Sequence, residues 1–324
     1  MPSVQELQEK VAIAFSKQTF EGNPSELYAP VEYTLSQTGK RLRPVLVLIA
    51  CDMFGGDIEK AINPALGIEI FHNFTLLHDD IMDKAPIRRG LETVYKKWNT
   101  NIAILSGDVM FITAYQYIIK ADAHLLPDLL KLFNQTSIEV CEGQQYDMNF
   151  ETLNDVSIAD YLDMIRLKTA VLLGCSLKTG AIIAGASETD QKNIYDFGVN
   201  IGIAFQLKDD LLDVYSDVEK FGKMTGGDII TNKKTFLYLK AFELAKGERL
   251  SHLQKFFSLK EEDSDIKING VKAIYNELDI EAITVAEMEA YYNKALENLK
   301  NIDVSDERKE NLLSFAAQLM KRES

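Results

Sequence analysis

QKNIYDFGVNIGIAFQLKDDLLDVYSDVEK, residues 191–220, decides the fold class. Its apolar residues recur at three- and four-residue spacing, the signature of an amphipathic helix, and no period-two alternation bounded by turns interrupts them. SIADYLDMIRLKTAVLLGCSLKTGAIIAG, residues 157–185, reads the same way. No proline follows Pro127, so the strongest helix breaker is missing from nearly two-thirds of the chain. Ser157 with Asp160, and Ser187 with Asp190, have the spacing of N-cap pairs and mark helix starts, with Asp where a capping box usually carries Glu. The expected class is all-α.

The length of 324 residues accommodates one large domain or two smaller ones. Two stretches look soft: FGKMTGGD at 221–228, read as a mobile loop, and SLKEEDSDIKING at 258–270. Helical periodicity resumes on both sides of each, and there is no low-complexity tract or short solenoid repeat. A single helical domain over residues 1–324 is therefore expected. A hydrophobic content of 46% and a charged content of 26% are ordinary for a globular chain. The formal net charge of −14 opposes binding to a polyanion and excludes nucleic acid as an expected partner. MPSVQELQEKVAIAFSK lacks the basic-then-apolar order of a signal peptide, and no apolar run is long enough to span a bilayer. Cytoplasmic location without membrane insertion is the expectation. Cys51, Cys141 and Cys175 are odd in number and widely spaced, which argues against a disulfide framework or a thiolate zinc site and reads as small core residues.

LLHDDIMDKAPIRRG, residues 76–90, concentrates charge at the end of an apolar run. If Ile68 to Met82 is helical, His72, Thr75, Leu76, Asp79 and Asp83 share one face, and Asp79 stacks a turn from Asp83. Like charges at that spacing repel, whereas a hard divalent cation such as Mg²⁺ seeks these oxygens. For one such motif a solvated acidic helix end is the commoner reading. Asp209, Asp210 and Asp213 repeat the DDxxD spacing, however. Chance supplies one such motif in roughly one chain in twelve and two in only a few per thousand. Mg²⁺ commonly bridges carboxylates to substrate phosphates, so a diphosphate is the natural third party. Cations for its other side are present as Arg88, Arg89, Lys168, Lys223, Lys233 and Lys234.

With these motifs in place the chain resembles the trans-isoprenyl diphosphate synthases. The resemblance spans most of the sequence: GKRLRP at 39–44, EIFHNFTLLHDDIMD at 69–83, RRG at 88–90, GD at 107–108, GQQYD at 143–147, KT at 168–169, FQLKDDLLD at 205–213, and GKMTGGD followed by KKT. It implies an all-helical bundle around a central cavity, with the two acidic motifs facing each other at its mouth, in a homodimer. It implies that Asp79, Asp80, Asp83, Asp209, Asp210 and Asp213 hold about three Mg²⁺ around an allylic diphosphate (dimethylallyl, geranyl or farnesyl). Arg88, Lys168 and Lys223 would clamp that diphosphate, with Lys233 a further candidate. Lys40, Arg43, His72 and Arg89 match positions that bind isopentenyl diphosphate without metal. Thr169 and Gln206 match polar positions near the reacting carbons, where dipoles stabilise positive charge.

The same resemblance places the floor of the hydrocarbon pocket just before the first acidic motif, with Phe74 as the stop, Thr75 beside it and Phe71 a turn deeper. Five residues of helix rotate about 140° away from Asp79, so the spacing alone does not aim Phe74 inward. A C20 product, or C15, is implied. Quieter readings stand beside these: a solvated basic turn at Lys40, Arg41 and Arg43, a core histidine at Phe71's neighbour His72, helix-end charges at Lys233 and Lys234. A terpene cyclase would normally mix Asn, Ser or Thr with Glu in its second motif, and a regulatory subunit commonly loses one motif. An acidic scaffold or Ca²⁺ buffer would need the EF-hand loop pattern, which is absent.

Overall fold

The computed structural model describes residues 2–37, 39–216 and 226–321. Helices dominate it, as the periodicity predicts: α1 (Val4–Ser16), α2 (Ser25–Ser36), α3 (Leu42–Met53), α4 (Ile58–Met82), α5 (Val94–Lys97), α6 (Thr100–Ile118), α7 (Leu126–Thr152), α8 (Ile158–Ile165), α9 (Val171–Ile183) and α10 (Glu188–Tyr215). These are followed by α11 (Gly227–Ile230), α12 (Phe236–Leu244), α13 (Glu248–Phe257), α14 (Ser264–Glu277), α15 (Ile280–Lys300) and α16 (Asp306–Lys321). Among the described residues the only strands are β1 (Ile87–Arg88) and β2 (Leu91–Glu92). No single described helix is long and apolar enough to cross a membrane.

The chain divides into two compact units, each assembled from three separate stretches. The first comprises Met1–Gln135, Cys175–Tyr195 and Ile302–Asn311, and the second Thr136–Gly174, Asp196–Asn301 and Leu312–Ser324. In the first, α4 is the centre. From Pro64 to Phe71 every residue is buried, so the helix presents no solvent face there. It packs against α3 and α6, and Gly67 permits the approach to α6, since a Cβ there would lie 2.8 Å from the Ala114 carbonyl oxygen. Each large apolar side chain so buried contributes about 1.5–3 kcal/mol. Pro30 and Pro64 lie inside α2 and α4, so proline marks no helix end at either place.

In the second unit one cluster joins Phe150, Tyr161, Met164, Ile165, Ile203, Leu207 and Phe236, and another joins Leu211, Val214, Leu237, Leu253, Phe257, Val271 and Tyr275. The Ser157–Asp160 pair is a reciprocal capping box, and Ser187 caps α10 with Asp190. Two expectations need correction. Most of the stretch 258–270 is ordered: a short 3₁₀ turn at Glu261–Asp263 leads into α14. Cys51 and Cys175 are buried, but Cys141 faces outward from α7, so only two of the three cysteines are core residues. Of the expected mobile loop at 221–228, residues 221–225 lie outside the described residues, and Gly226 to Asp228 start α11.

Candidate active site

In the first unit, α4 delivers Asp79, Asp80 and Asp83 to its own C-terminus, where Asp83 is the C-cap. The helix stops in a Schellman arrangement: Ala85 N–H donates to the Asp80 carbonyl at 3.0 Å and Lys84 N–H to that of Ile81 at 3.3 Å. Lys84 takes the left-handed position that glycine usually fills, with φ 52°. The chain then forms the β1–β2 hairpin, whose two turn residues Arg89 and Gly90 both have positive φ, 53° and 78°. That is the twist a two-residue hairpin requires. Tyr33 Oη fixes the hairpin by donating to the Glu92 carbonyl at 2.8 Å. The result aims Arg88 back at the acidic motif: its Nε donates to Asp80 Oδ1 at 2.6 Å. Burial raises the Asp80 pKa despite that neighbouring charge. A cavity of about 20 Å³ lies beside Asn73, Asp80, Arg88 and Arg89, room for one water.

About two turns deeper on α4, His72 meets Arg43 of α3, with Arg43 Nη1 3.1 Å from His72 Nε2. A guanidinium can only donate, so His72 accepts at Nε2 and carries its proton on Nδ1. Burial, then the charges of Arg43, Arg89 and Arg88, hold the imidazole pKa well below its usual value, so the ring is neutral. Burial also lowers Arg43, to about 10, against the help of Glu69 and with the opposition of Arg89. Arg43 Nε is buried with no hydrogen-bond partner. Glu69, buried and drawn up in pKa by that burial, accepts from Asn73 Nδ2 at 3.3 Å and balances Arg43, Arg41 and Arg89. Gly39 lies against Arg89, where a Cβ would come within 3.1 Å of Nη1, and Lys40 follows it at the surface. Arg41, in contrast, is structural: it donates to the Leu35 carbonyl and covers the Phe15 ring at 4.2 Å.

Phe74 belongs to an aromatic cluster. Its ring stacks on Phe111 of α6 at 5.1 Å and 23°, with Phe71 at 5.6 Å and His78 at 4.7 Å. Phe71 is fully buried and meets Phe133 edge-on at 5.1 Å. Thr75 turns its hydroxyl to the His72 carbonyl at 2.8 Å.

In the second unit, α10 carries Asp209, Asp210 and Asp213. Asp210 is buried and accepts from the Tyr161 hydroxyl and from Gln206 Nε2, the latter at 3.4 Å. Asp213 Oδ2 accepts the Asp228 N–H at 3.0 Å, which seats the start of α11 on the motif. Burial raises the pKa of both Asp210 and Asp228, each further by a carboxylate neighbour (Asp228 and Asp213 respectively) and each held back by Lys233. Lys233 Nζ is 4.0 Å from Asp228 Oδ1. Lys168 and Thr169 lie on a π-helical segment, Arg166–Ala170, a wide turn often found at functional sites. Lys168 Nζ donates to Asp147 Oδ2 at 2.6 Å, and Thr169 Oγ1 is 3.5 Å from Gln206 Oε1. Two glycines make room for that segment: a Cβ on Gly143 would lie 2.2 Å from Lys168 N, and one on Gly202 2.6 Å from Ala170 Cα. Lys234 donates to the Phe150 carbonyl at the end of α7, the helix-end role read as its alternative. Lys223 lies outside the described residues.

Among the described residues no three carboxylate or imidazole groups are arranged to enclose an ion alone. Mg²⁺ does not require it, because it keeps several waters and takes one or two carboxylates with substrate phosphate. The donor set suits such an ion: hard carboxylate oxygens, of which those of Asp80, Asp210 and Asp228 have pKa values raised first of all by burial. Sequence reasoning gave no role to Asp147, Asp228, Tyr161, Glu69 or Phe111. Asp147 and Asp228 stand within the quoted GQQYD and GGD motifs, the only signal that could have marked them.

The sequence model described as polyprenyl synthetase matches residues 24–278. A geranylgeranyl diphosphate synthase of Sulfolobus acidocaldarius is 36% identical, over 93% of this chain and 92% of that protein. A geranylgeranyl pyrophosphate synthase of Geoglobus acetivorans is 38% identical, over 94% and 93%. A crystal structure of a geranylgeranyl pyrophosphate synthase covers 100% of both chains at 46% identity with a TM-score of 0.95.

Proposed function

Because the chain belongs to the polyprenyl synthetase family and is a prenyltransferase, we propose that it joins isopentenyl diphosphate head-to-tail to allylic diphosphates and delivers geranylgeranyl diphosphate, with farnesyl diphosphate as the shorter alternative. One observation carries this reading furthest. Arg43 is a half-buried guanidinium with a buried, unpartnered Nε, braced on a neutral His72 whose Nδ1 holds the proton. Such a pocket wants a multivalent anion and contains no carboxylate in hydrogen-bond contact with Arg43 among the described residues. It suits the diphosphate of isopentenyl diphosphate, with Lys40 and Arg89 at its edge.

Asp79, Asp80, Asp83, Asp209, Asp210 and Asp213, with Asp228, would hold the Mg²⁺ of the allylic diphosphate. The metal, when bound, supplies positive charge that stabilises diphosphate as a leaving group. Arg88, Lys168, Lys223 and Lys233 add cationic donors to the same oxygens. The allylic carbon–oxygen bond breaks with its electron pair on diphosphate, and the Thr169 and Gln206 dipoles face the resulting cation. The double bond of isopentenyl diphosphate attacks that carbon. One proton then leaves for the released diphosphate, and the new double bond forms without a dedicated protein base.

Phe74, supported by Phe71 and Phe111, stops the growing chain in this proposal. The pairing of two copies has its support in α6 and its C-cap, where Ile104, Leu105, Ile112 and the cap residue Ile119 are exposed, three of them at seven-residue spacing on one stripe. A homodimer buries that stripe. The decisive experiment incubates purified protein with Mg²⁺, isopentenyl diphosphate and each allylic primer, and identifies products by chain length. Geranylgeranyl diphosphate is expected; no condensation with any primer overturns the proposal in favour of a regulatory subunit. Sedimentation of the wild type and of Ile112→Glu tests the dimer, which the variant should dissociate.

A further inference from the structure

Lys267 of α14 brings a positive charge into the interior of the second unit, at 1% exposure. Burying an ammonium costs several kcal/mol, and a methionine would fill the same space without that cost. What the lysine adds is directed donors. Its Nζ donates to the Ile230 carbonyl at 2.9 Å and to Asn232 Oδ1 at 2.6 Å, and it lies 5.8 Å from the centre of the Phe257 ring.

Both acceptors belong to one turn. Ile230 is the last residue of α11, and Asn232 two positions later is left-handed, with φ 58°. Within that turn Lys233 N–H donates to the Asp228 carbonyl at 2.9 Å, so the backbone of the two charged residues is closed into one turn. Asp228 in turn is tied by its N–H to Asp213 Oδ2 at 3.0 Å. The approach of α14 is built in at Gly226, where a Cβ would lie 2.8 Å from Ile268, the residue after Lys267.

We infer that Lys267 is a positioning residue for metal binding: by holding Ile230 and Asn232 it fixes the turn that presents Asp228 and Lys233 beside Asp213. The inference rests on the assignment of these aspartates to Mg²⁺. Its test uses Mn²⁺ as the probe, titrated into the full-length protein with inorganic diphosphate and followed by the electron spin resonance of free Mn²⁺. Lys267→Met and Asn232→Gly, which keeps the left-handed turn, should each weaken Mn²⁺ binding about tenfold, the usual effect of losing an outer hydrogen bond to a ligand. The double variant should be no worse than Lys267→Met alone, because that substitution already removes the contact to Asn232. The KM for isopentenyl diphosphate should stay within about twofold, since its pocket is built by other residues. Lys267→Arg should restore part of the affinity. Unchanged Mn²⁺ affinity in both single variants, with only the melting temperature lowered, overturns the role of Lys267. A wild-type protein that binds no Mn²⁺ with diphosphate overturns the metal assignment itself, and the role of Lys267 with it. If Lys267→Met does not fold, Asn232→Gly alone decides, by the same two outcomes.

Discussion

Replacing Arg43 by methionine separates a binding residue from a structural one, because the two roles predict opposite changes in stability. The depression of its pKa from 12.5 to about 10 means that the folded protein holds the charged guanidinium at a cost of about 3 kcal/mol at face value. Its remaining exposed edge screens this to about 2 kcal/mol. Methionine removes that cost and the orphaned Nε, but leaves His72 Nε2 without its donor, a loss of about 1 kcal/mol. The ligand-free variant should therefore gain about 1 kcal/mol, or about 1.5 °C in melting temperature for a chain of this length. Binding moves the other way. One charge-assisted contact to a diphosphate is worth about 1.5–3 kcal/mol, so KM for isopentenyl diphosphate should rise about 10- to 100-fold. KM for the allylic primer should not move. The assays are differential scanning calorimetry without substrate and steady-state condensation with each substrate varied in turn. A variant that melts lower, or one whose allylic KM rises as much as the other, refutes the assignment.

Three further outcomes are expected. Phe74→Ala should lengthen the product by at least one five-carbon unit, since filling the vacated space returns about 0.8 kcal/mol per buried carbon; Phe111→Ala, which removes the stacked support, should do so partially, and unchanged product length in both variants by mass spectrometry removes the aromatic pair as the stop. The raised pKa values of Asp210 and Asp228 mean that the ligand-free fold keeps protons the unfolded chain would release, so its stability declines as pH rises toward neutrality. Metal needs the ionised form, so Mg²⁺ with diphosphate should raise the melting temperature more at about pH 8 than at about pH 5.5, and the reverse order would contradict it. Gly143→Ala should cost about 1–3 kcal/mol and lower kcat, because the added methyl meets the backbone of Lys168; a fully active, equally stable variant would show that the segment has room.

Local chemistry was readable where it repeats at a helical period. The course of α10 and α4, the capping pairs at Ser157 and Ser187, and the acidic motifs all follow from spacing alone. Features requiring a distant partner were not. Lys267 occupies a core position of α14, on the stripe that runs on to Val271 and Ile274, where residue type alone points to the surface. Arg89 adopts a positive φ that its sequence does not advertise, and the hairpin it shapes is what turns Arg88 onto Asp80. The approach of Arg43 to His72 joins residues 29 positions apart, beyond the reach of any periodicity. The residue type of Cys141 points to the core, whereas its exposure is set by which side of α7 it occupies.

The wide turn at Arg166–Ala170 has a consequence for anyone who edits this region. A π turn holds one residue more than an α turn, so it amounts to a single-residue insertion accommodated within a continuous helix. Deleting any one of these five residues would let ordinary α geometry return with the helix downstream still in phase, whereas winding all five as ordinary α-helix would rotate everything downstream by about 100°. The wide turn thus keeps α8 and α9 in phase despite the surplus residue. Chimaeras that swap either helix with a relative should preserve the count across Lys168 and Thr169 before they preserve the identity of any side chain.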